Sequence, residues 1–143
     1  MFLGNYQANI DGKGRINIPS RYREILEEKY GSNLILSVSR NCLVVYPQSE
    51  WTVLEEKWRE LPPLRQDVQN FYRLFYARAS ECVMKHGRIL VPPSLRSQAN
   101  LNKEVVIAGV SRMIEIWDKT KWEQFMAENE EQFEELGNKL SEI

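Results

Sequence analysis

Asp11-Gly12-Lys13-Gly14-Arg15-Ile16-Asn17-Ile18-Pro19-Ser20 and Met84-Lys85-His86-Gly87-Arg88-Ile89-Leu90-Val91-Pro92-Pro93 are two versions of one pattern, 73 positions apart. Each has a basic turn bearing glycine, then an arginine, an alternating run and a proline. The echo extends outward. Leu34-Ile35-Leu36 answers Val105-Val106-Ile107, Cys42-Leu43-Val44-Val45-Tyr46 answers Met113-Ile114-Glu115-Ile116-Trp117, and Trp51 answers Trp122. The offset there is 71, so the copies differ by a two-residue gap. A chain built from two copies of one unit is expected to pair them about a pseudo-twofold axis. Such pairing suits a protein that meets another symmetric object, and DNA is the first candidate.

The chain has 143 residues. A repeat of roughly 45 residues rarely builds an adequate core alone, so the two are expected to share one. With 43% hydrophobic and 27% charged residues, the composition is that of an ordinary soluble globular protein. No apolar run approaches the ~20 residues of a membrane span, and Met1-Phe2-Leu3-Gly4-Asn5 lacks the character of a signal peptide. The expectation is a cytoplasmic protein with no membrane partner. Cys42 and Cys82 sit in apolar, strand-like surroundings and read as buried thiols in a reducing compartment. One histidine and no paired cysteine spacing argue against a structural metal.

Local patterns predict the elements. Tyr6–Ile10 alternates as a strand, residues 11–14 form a turn, and residues 15–18 alternate again until Pro19. Ser20 is placed to cap a short helix to about Lys29, which Gly31 stops. Strands at 33–38 and 42–46 flank the turn Ser39-Arg40-Asn41. Ser49 is expected to cap a helix with Trp51, Leu54, Trp58 and Leu61 on one face, ended by Pro62-Pro63. Asp67 begins another, with Val68, Phe71, Leu74 and Phe75 aligned. A last single helix carries Trp122, Phe125, Met126, Phe133, Leu136 and Leu140. Aromatics at helical spacing read as core or subunit interface rather than as a stacking platform. The division is repeat one at 5–51, a helical connector at 52–78, repeat two at 79–122 and an acidic C-terminal helix at 123–143.

The net charge of −1 hides an uneven distribution. Lys13, Arg15, Arg21 and Arg23 cluster against Asp11 alone, while seven glutamates from Glu123 to Glu142 face only Lys139. One modest basic patch binds DNA weakly, because phosphate contacts supply most non-specific affinity. Several copies in one assembly would add their patches.

The sequence Asp11-x-x-x-Arg15 with Ile16-x-Ile18-Pro19 resembles the AbrB-type swapped-hairpin DNA-binding domain. The blocks Met1-Phe2-Leu3-Gly4, Asp11-Gly12-Lys13-Gly14-Arg15, Cys42-Leu43, Tyr46-Pro47, Glu50-Trp51, Ala79-Ser80-Glu81-Cys82, Lys103-Glu104-Val105-Val106 and Ile114-Glu115-Ile116-Trp117-Asp118 resemble the bacterial MraZ family up to about residue 126. The resemblance implies a mainly β fold with α-helices. Two AbrB-like repeats would interleave their hairpins into one double-ψ or swapped-hairpin barrel, with linking and C-terminal helices. It also implies a homo-oligomer forming a closed ring. The implied function is a nucleoid-associated transcriptional regulator, a repressor, that binds repeated boxes in double-stranded DNA upstream of a division and cell-wall gene cluster including its own gene.

The resemblance assigns DNA contact to the Asp-x-x-x-Arg turn, which makes Lys13 and Arg15 the first candidates. Gly12 and Gly14, without side chains, would let the turn approach a backbone closely. Arg15 suits a bidentate contact to guanine or phosphate, and Lys13 a phosphate contact. Arg21 would add a backbone contact. The bland alternative is an Asp11–Arg15 ion pair that only braces the hairpin; an exposed pair contributes little by itself. Both roles are compatible, with Asp11 orienting Arg15. In the second copy Met84 stands four before Arg88, where an acid is expected, so the acid is either replaced there or deleted through a one-residue difference in turn length, while Lys85 and His86 beside Gly87 keep the turn basic. The first copy is therefore expected to dominate binding. Protonation of His86 near phosphate would strengthen binding below about pH 6.5.

Two rivals stand beside this reading: a non-catalytic ring-forming scaffold for protein interaction, and an antitoxin-like regulator. There is no nucleophile elbow, phosphate loop or oriented Cys/His pair, so neither an enzyme nor a cofactor is expected.

Overall fold

The structure is a computed structural model and describes residues 1–142. The expected segment 123–143 thus includes one residue, Ile143, outside the described range. Repeat one contributes β1 (Asn5–Asn9), β2 (Arg15–Asn17), α1 (Ser20–Ile25), β3 (Asn33–Ser39) and β4 (Cys42–Pro47). Helices α2 (Gln48–Trp58) and α3 (Gln66–Ala77) follow. Repeat two contributes β5 (Ser80–Val83), β6 (Arg88–Leu90), α4 (Pro93–Gln98), β7 (Glu104–Val110) and β8 (Met113–Asp118). Helices α5 (Lys119–Asn129) and α6 (Phe133–Ser141) follow.

The repeats interleave. One antiparallel sheet runs β1-β7-β8-β4-β3-β5, and β2 pairs with β6 as a separate ribbon. The first strand of each repeat therefore lies against the third strand of the other: Tyr6 faces Ile107, and Cys82 faces Leu34. The pseudo-twofold relation is exact in register. Ile16 faces Ile89 at the centre of the ribbon, and Val44 faces Glu115 at the centre of the β4–β8 pair. These are the two offsets of the sequence echo.

The swapped hairpins appear as expected, but the ladder does not close into a barrel. Strands β1 and β5 remain the sheet's two edges. The reason is the shortness of β2 and β6. Three residues supply ladder bonds to one partner, and only the bridge between Ile10 and Ile16 ties β2 back toward β1.

Both repeats fill one core. Ile16, Ile18, Tyr22, Leu26, Leu34, Leu36, Leu43 and Val45 from the first meet Met84, Ile89, Val91, Leu95, Val105, Ile107, Ile114 and Ile116 from the second, all buried. On each strand alternate residues point inward, as the two-residue period requires. The opposite face of the sheet, with Cys42, Val44, Val106 and Ala108, lies beneath α2 and α5. Cys42 and Cys82 are free buried thiols. Burial, with Glu115 adjacent, pushes the Cys42 thiol up to about 12. Tyr22 secures the amino-terminal segment: its hydroxyl donates to the carbonyls of Leu3 at 2.6 Å and Gly4 at 2.9 Å.

Helix boundaries depart from the pattern reading at the caps. Pro19 and Pro47, not Ser20 and Ser49, precede α1 and α2, and neither helix start has a side-chain cap. Proline fixes an extended approach, and the Pro19 carbonyl then accepts from the Arg23 amide at 3.0 Å. After Ile25 the chain widens into a π turn, Leu26–Tyr30, before Gly31. Leu61 lies beyond α2. Trp51 stacks on Phe75 at 4.5 Å and Trp58 meets Phe71 at 4.8 Å, so the aromatic stripes join α2 to α3.

The single C-terminal helix expected from the pattern is broken at Glu130–Gln132 by a tighter turn. Glu130 and Glu134, like Glu131 and Glu135, stand one turn apart, and such like-charge pairs oppose a continuous helix. Asp118 starts α5 earlier than expected by accepting from the Lys121 amide. Trp122 and Phe125 pack on Trp117, whereas Phe133 is 76% and Leu140 62% exposed. No helix is long and apolar enough to cross a membrane among the described residues.

A shared core has a cooperative consequence. Ile89→Ala, which empties a site only 1% exposed, is expected to destabilise the protein by about 2–5 kcal/mol. Urea unfolding followed by tryptophan fluorescence and by circular dichroism should give one coincident transition in wild type and variant. Separate transitions for the two repeats would contradict the shared core.

Candidate nucleic-acid interface

Arg15 opens β2 and Arg88 opens β6, so the antiparallel pairing sends their turns to opposite ends of the ribbon. Arg15 faces Leu90, and Arg88 faces Asn17. Ile16 and Ile89 point into the core, which places Arg15, Asn17, Arg88 and Leu90 together on the outer face. The two arginines are diagonal neighbours, with Cα atoms about 7–8 Å apart in such a pair. Backbone bonds lengthen the ribbon: the Val91 amide donates to the Gly14 carbonyl and the Ile18 amide to the Gly87 carbonyl, both at 2.9 Å.

The first turn is organised by Asp11. Its Oδ1 accepts from the Lys13 and Arg15 amides, each at 2.9 Å, and its Oδ2 accepts from Arg15 Nε at 2.6 Å. The Arg15 amide first, then the Arg15 guanidinium and the Lys13 amide, hold the carboxyl down at about 2 against a smaller opposing effect of desolvation. Its ordinary value is 3.8, so this brace is fully present above about pH 4 and is lost as the pH falls toward 2. Arg15 is thereby held through Nε while its Nη1 and Nη2 have no protein partner among the described residues. The side chain is 37% exposed. An arginine fixed at Nε and open at its Nη end presents a ready fork for a phosphate or a guanine edge. Lys13 is exposed.

The second turn is one residue shorter, and this changes the correspondence. The Asp11 amide donates to the Arg15 carbonyl; in repeat two it is the Lys85 amide that donates to the Arg88 carbonyl, at 2.9 Å. The Ile10 amide donates to the Lys103 carbonyl and the Met84 amide to the Ser32 carbonyl. Met84 is thus the counterpart of Ile10, buried at 7% exposure, and the position of Asp11 is filled by Lys85. The acid is replaced by a base rather than by methionine. His86, with a φ of 53°, and Gly87, with a φ of 73°, form the tip. Lys85 and His86 are exposed and Arg88 is half-buried.

The glycines divide in role. Nothing lies within 4 Å of a Cβ built on Gly12, so that position is open to an approaching backbone. Gly14 and Gly87 instead press against the chain itself. A Cβ on Gly14 would stand 2.8 Å from the Val91 carbonyl oxygen and 3.0 Å from Arg96 Cζ, and one on Gly87 would stand 2.5 Å from Arg23 Nη1. Both also hold a positive φ that favours glycine. Arg21 is exposed and turns toward Glu24 at 3.4 Å rather than toward a turn residue. Sequence reading missed Asn17 and Leu90, which join the outer face only through cross-repeat pairing. No local pattern signals that pairing; the echo of Arg15-Ile16-Asn17 in Arg88-Ile89-Leu90 was the available hint.

Residues 1–73 and 75–140 match the MraZ protein family model, whose description also carries the label antitoxin-like. A "Transcriptional regulator MraZ" of Desulforamulus reducens is 44% identical over all of this chain and 99% of its own length. Relatives of the same name from Moorella thermoacetica and Alkaliphilus metalliredigens are 45% and 40% identical, covering 98% and 100% of this chain and 96% and 99% of their own. With the family pattern running through both interleaved repeats, the chain belongs to the MraZ family.

Proposed function

We propose that this chain is a non-catalytic transcriptional regulator that binds double-stranded DNA by laying the β2–β6 ribbon in the major groove. The observation that carries the reading is the common outer face of that ribbon, which holds Arg15, Asn17, Arg88 and Leu90 between two basic turns. A two-stranded ribbon fits the major groove, and this set covers the usual contacts there. Arginine reads guanine, asparagine reads adenine, and an aliphatic group meets the thymine methyl. Lys13, Lys85 and the open edge at Gly12 lie at the two ends, where the ribbon would meet phosphates. Arg21 would serve as an outlying phosphate contact. The first repeat dominates, because Asp11 holds Arg15 in place and the second turn lacks that acid; Lys85 and Arg88 add the weaker contacts. The relatives' shared name supports the regulatory role.

Exposed apolar residues on α3 and α6, Leu74 at 54%, Phe133 at 76% and Leu140 at 62% exposure, support assembly with further copies, in the closed ring that the family resemblance implies. The proposed location is the cytoplasm, on the nucleoid. The proposed targets are repeated boxes upstream of the division and cell-wall gene cluster containing the chain's own gene, and the proposed action is repression.

Fluorescence anisotropy with DNA from upstream of its own gene, against a scrambled duplex, tests the reading. Arg15→Ala should weaken selective binding by about 10–100-fold, the discrimination of one bidentate contact. Its salt dependence should become shallower by about one unit of slope if the Arg15 fork also engages phosphate. Equal weak binding to both duplexes, indifferent to the substitution, would reduce the turn to a brace.

The second turn has its own test. Lys85→Ala should weaken binding to the upstream and scrambled duplexes alike and make the salt dependence shallower by about one unit of slope, the mark of a phosphate contact. An unchanged slope would take the second turn away from the DNA.

A further inference from the structure

Arg23 and Arg96 occupy equivalent positions in the two repeats. The amide of each donates to the carbonyl of the proline that precedes its helix, Pro19 or Pro92, at 3.0 Å. Each side chain then crosses to the other repeat. Arg96 lies against Gly14 in the first turn, and Arg23 lies against Gly87 in the second. The guanidinium sits where a side chain on either glycine would have to go. Both Nε atoms are buried without a hydrogen-bond partner, and neither arginine joins an ion pair among the described residues. A half-buried arginine kept without an acid, twice and in symmetric places, is not explained by ion pairing. Its planar group is doing the work of packing.

We propose that Arg96 and Arg23 are reciprocal positioning residues. Each props the turn of the opposite repeat from beneath and so sets the conformation from which Arg15 or Arg88 meets its ligand. The first turn has two supports, the Asp11 carboxylate within it and Arg96 below it. The second has Lys85 in place of the acid and depends on Arg23 alone. The flat guanidinium is what fits against a glycine; an ammonium on a flexible stem keeps the charge but not the plate. This inference rests on the DNA-binding reading for its consequence, not for the brace itself.

The test uses the full chain carrying Arg96→Ala, Arg96→Lys, Arg23→Ala or Arg23→Lys, with two readouts. The first is amide hydrogen exchange without DNA. Both Arg96 variants should speed exchange at Gly14 and Arg15 by about tenfold or more and leave residues 85–88 unchanged; the Arg23 variants should do the reverse. Unchanged exchange, loosening of both turns alike, or full restoration by lysine would overturn the brace.

The second readout is binding to the upstream duplex across a salt series. Arg96→Ala should weaken it about tenfold at an unchanged slope, and should add little when Arg15 is already alanine, because coupled residues are not additive. Arg23→Ala should remain additive with Arg15→Ala. A slope shallower by about one would identify a direct phosphate contact and overturn the positioning role. If the wild type fails to distinguish the upstream duplex from the scrambled one, the DNA reading falls, and the exchange pattern alone decides the brace.

Discussion

The pairing of β2 with β6 is the constraint on which the rest of the molecule depends. A three-residue strand has no stability of its own, and among the described residues each of these forms a ladder only with its counterpart. Once they pair, Ile16 and Ile89 must turn to the same side, and the core forms beneath them from both repeats. The first strands, tied to the ribbon through short turns, are then carried across to the opposite repeat's third strands. The swap is a consequence of the ribbon and not a separate event. It also leaves neither repeat able to bury its apolar residues without the other.

The same pairing decides what the surface offers. Two arginines far apart in sequence become diagonal neighbours, with an amide and an aliphatic side chain completing the face. Their environments are unlike. Arg15 is held through Nε by an aspartate that stays ionised down to about pH 2, and its charge is partly neutralised. Arg88 follows a shorter turn in which Lys85 occupies the acid's place. A pseudo-symmetric ribbon thus has one arginine that is oriented but partly neutralised and one that is fully charged but less restrained. Such a difference suits an asymmetric stretch of bases better than a perfect palindrome, on the proposed function.

The strands and the shared core were legible because period-two alternation and a repeated motif are local signals. Ile16-Asn17-Ile18 and Ile89-Leu90-Val91 announce their inward residues directly. The open ladder was not legible, because it follows from how few bonds two short strands can make. The helix starts were misread for a related reason: serine at positions 20 and 49 fits a cap by type, but a proline one or two places earlier had already fixed the chain's approach. Whether the second turn replaces the acid or deletes it is not legible from spacing, because a constant offset hides a one-residue difference in turn length; only the hydrogen bonds of Lys85 and Met84 show it. Arg23 was read as part of a basic cluster, while its contact lies 64 positions on, against Gly87. Pairing within a turn can be read from spacing. Packing between repeats needs the fold.

On the DNA-binding reading, charge arithmetic bears on assembly. Lys13, Arg15, Lys85 and Arg88 give four cations for phosphate or base contact on one ribbon. If all four neutralised phosphates, the slope of affinity against salt would be about −3.6, a loss of roughly 100-fold between 50 and 200 mM. A single chain of net charge −1 has little long-range attraction in reserve. Selective binding at physiological salt then calls for several ribbons on one stretch of DNA, where each added site acts at a high effective concentration. The helices outside the core have the matching character. Helix α6 has no fully buried residue, Leu136 being 43% and Leu140 62% exposed, and its acids would keep that element away from phosphates. A weak base-reading ribbon on one side and exposed apolar residues on the outer helices form a consistent pair, because the second multiplies what the first cannot achieve alone.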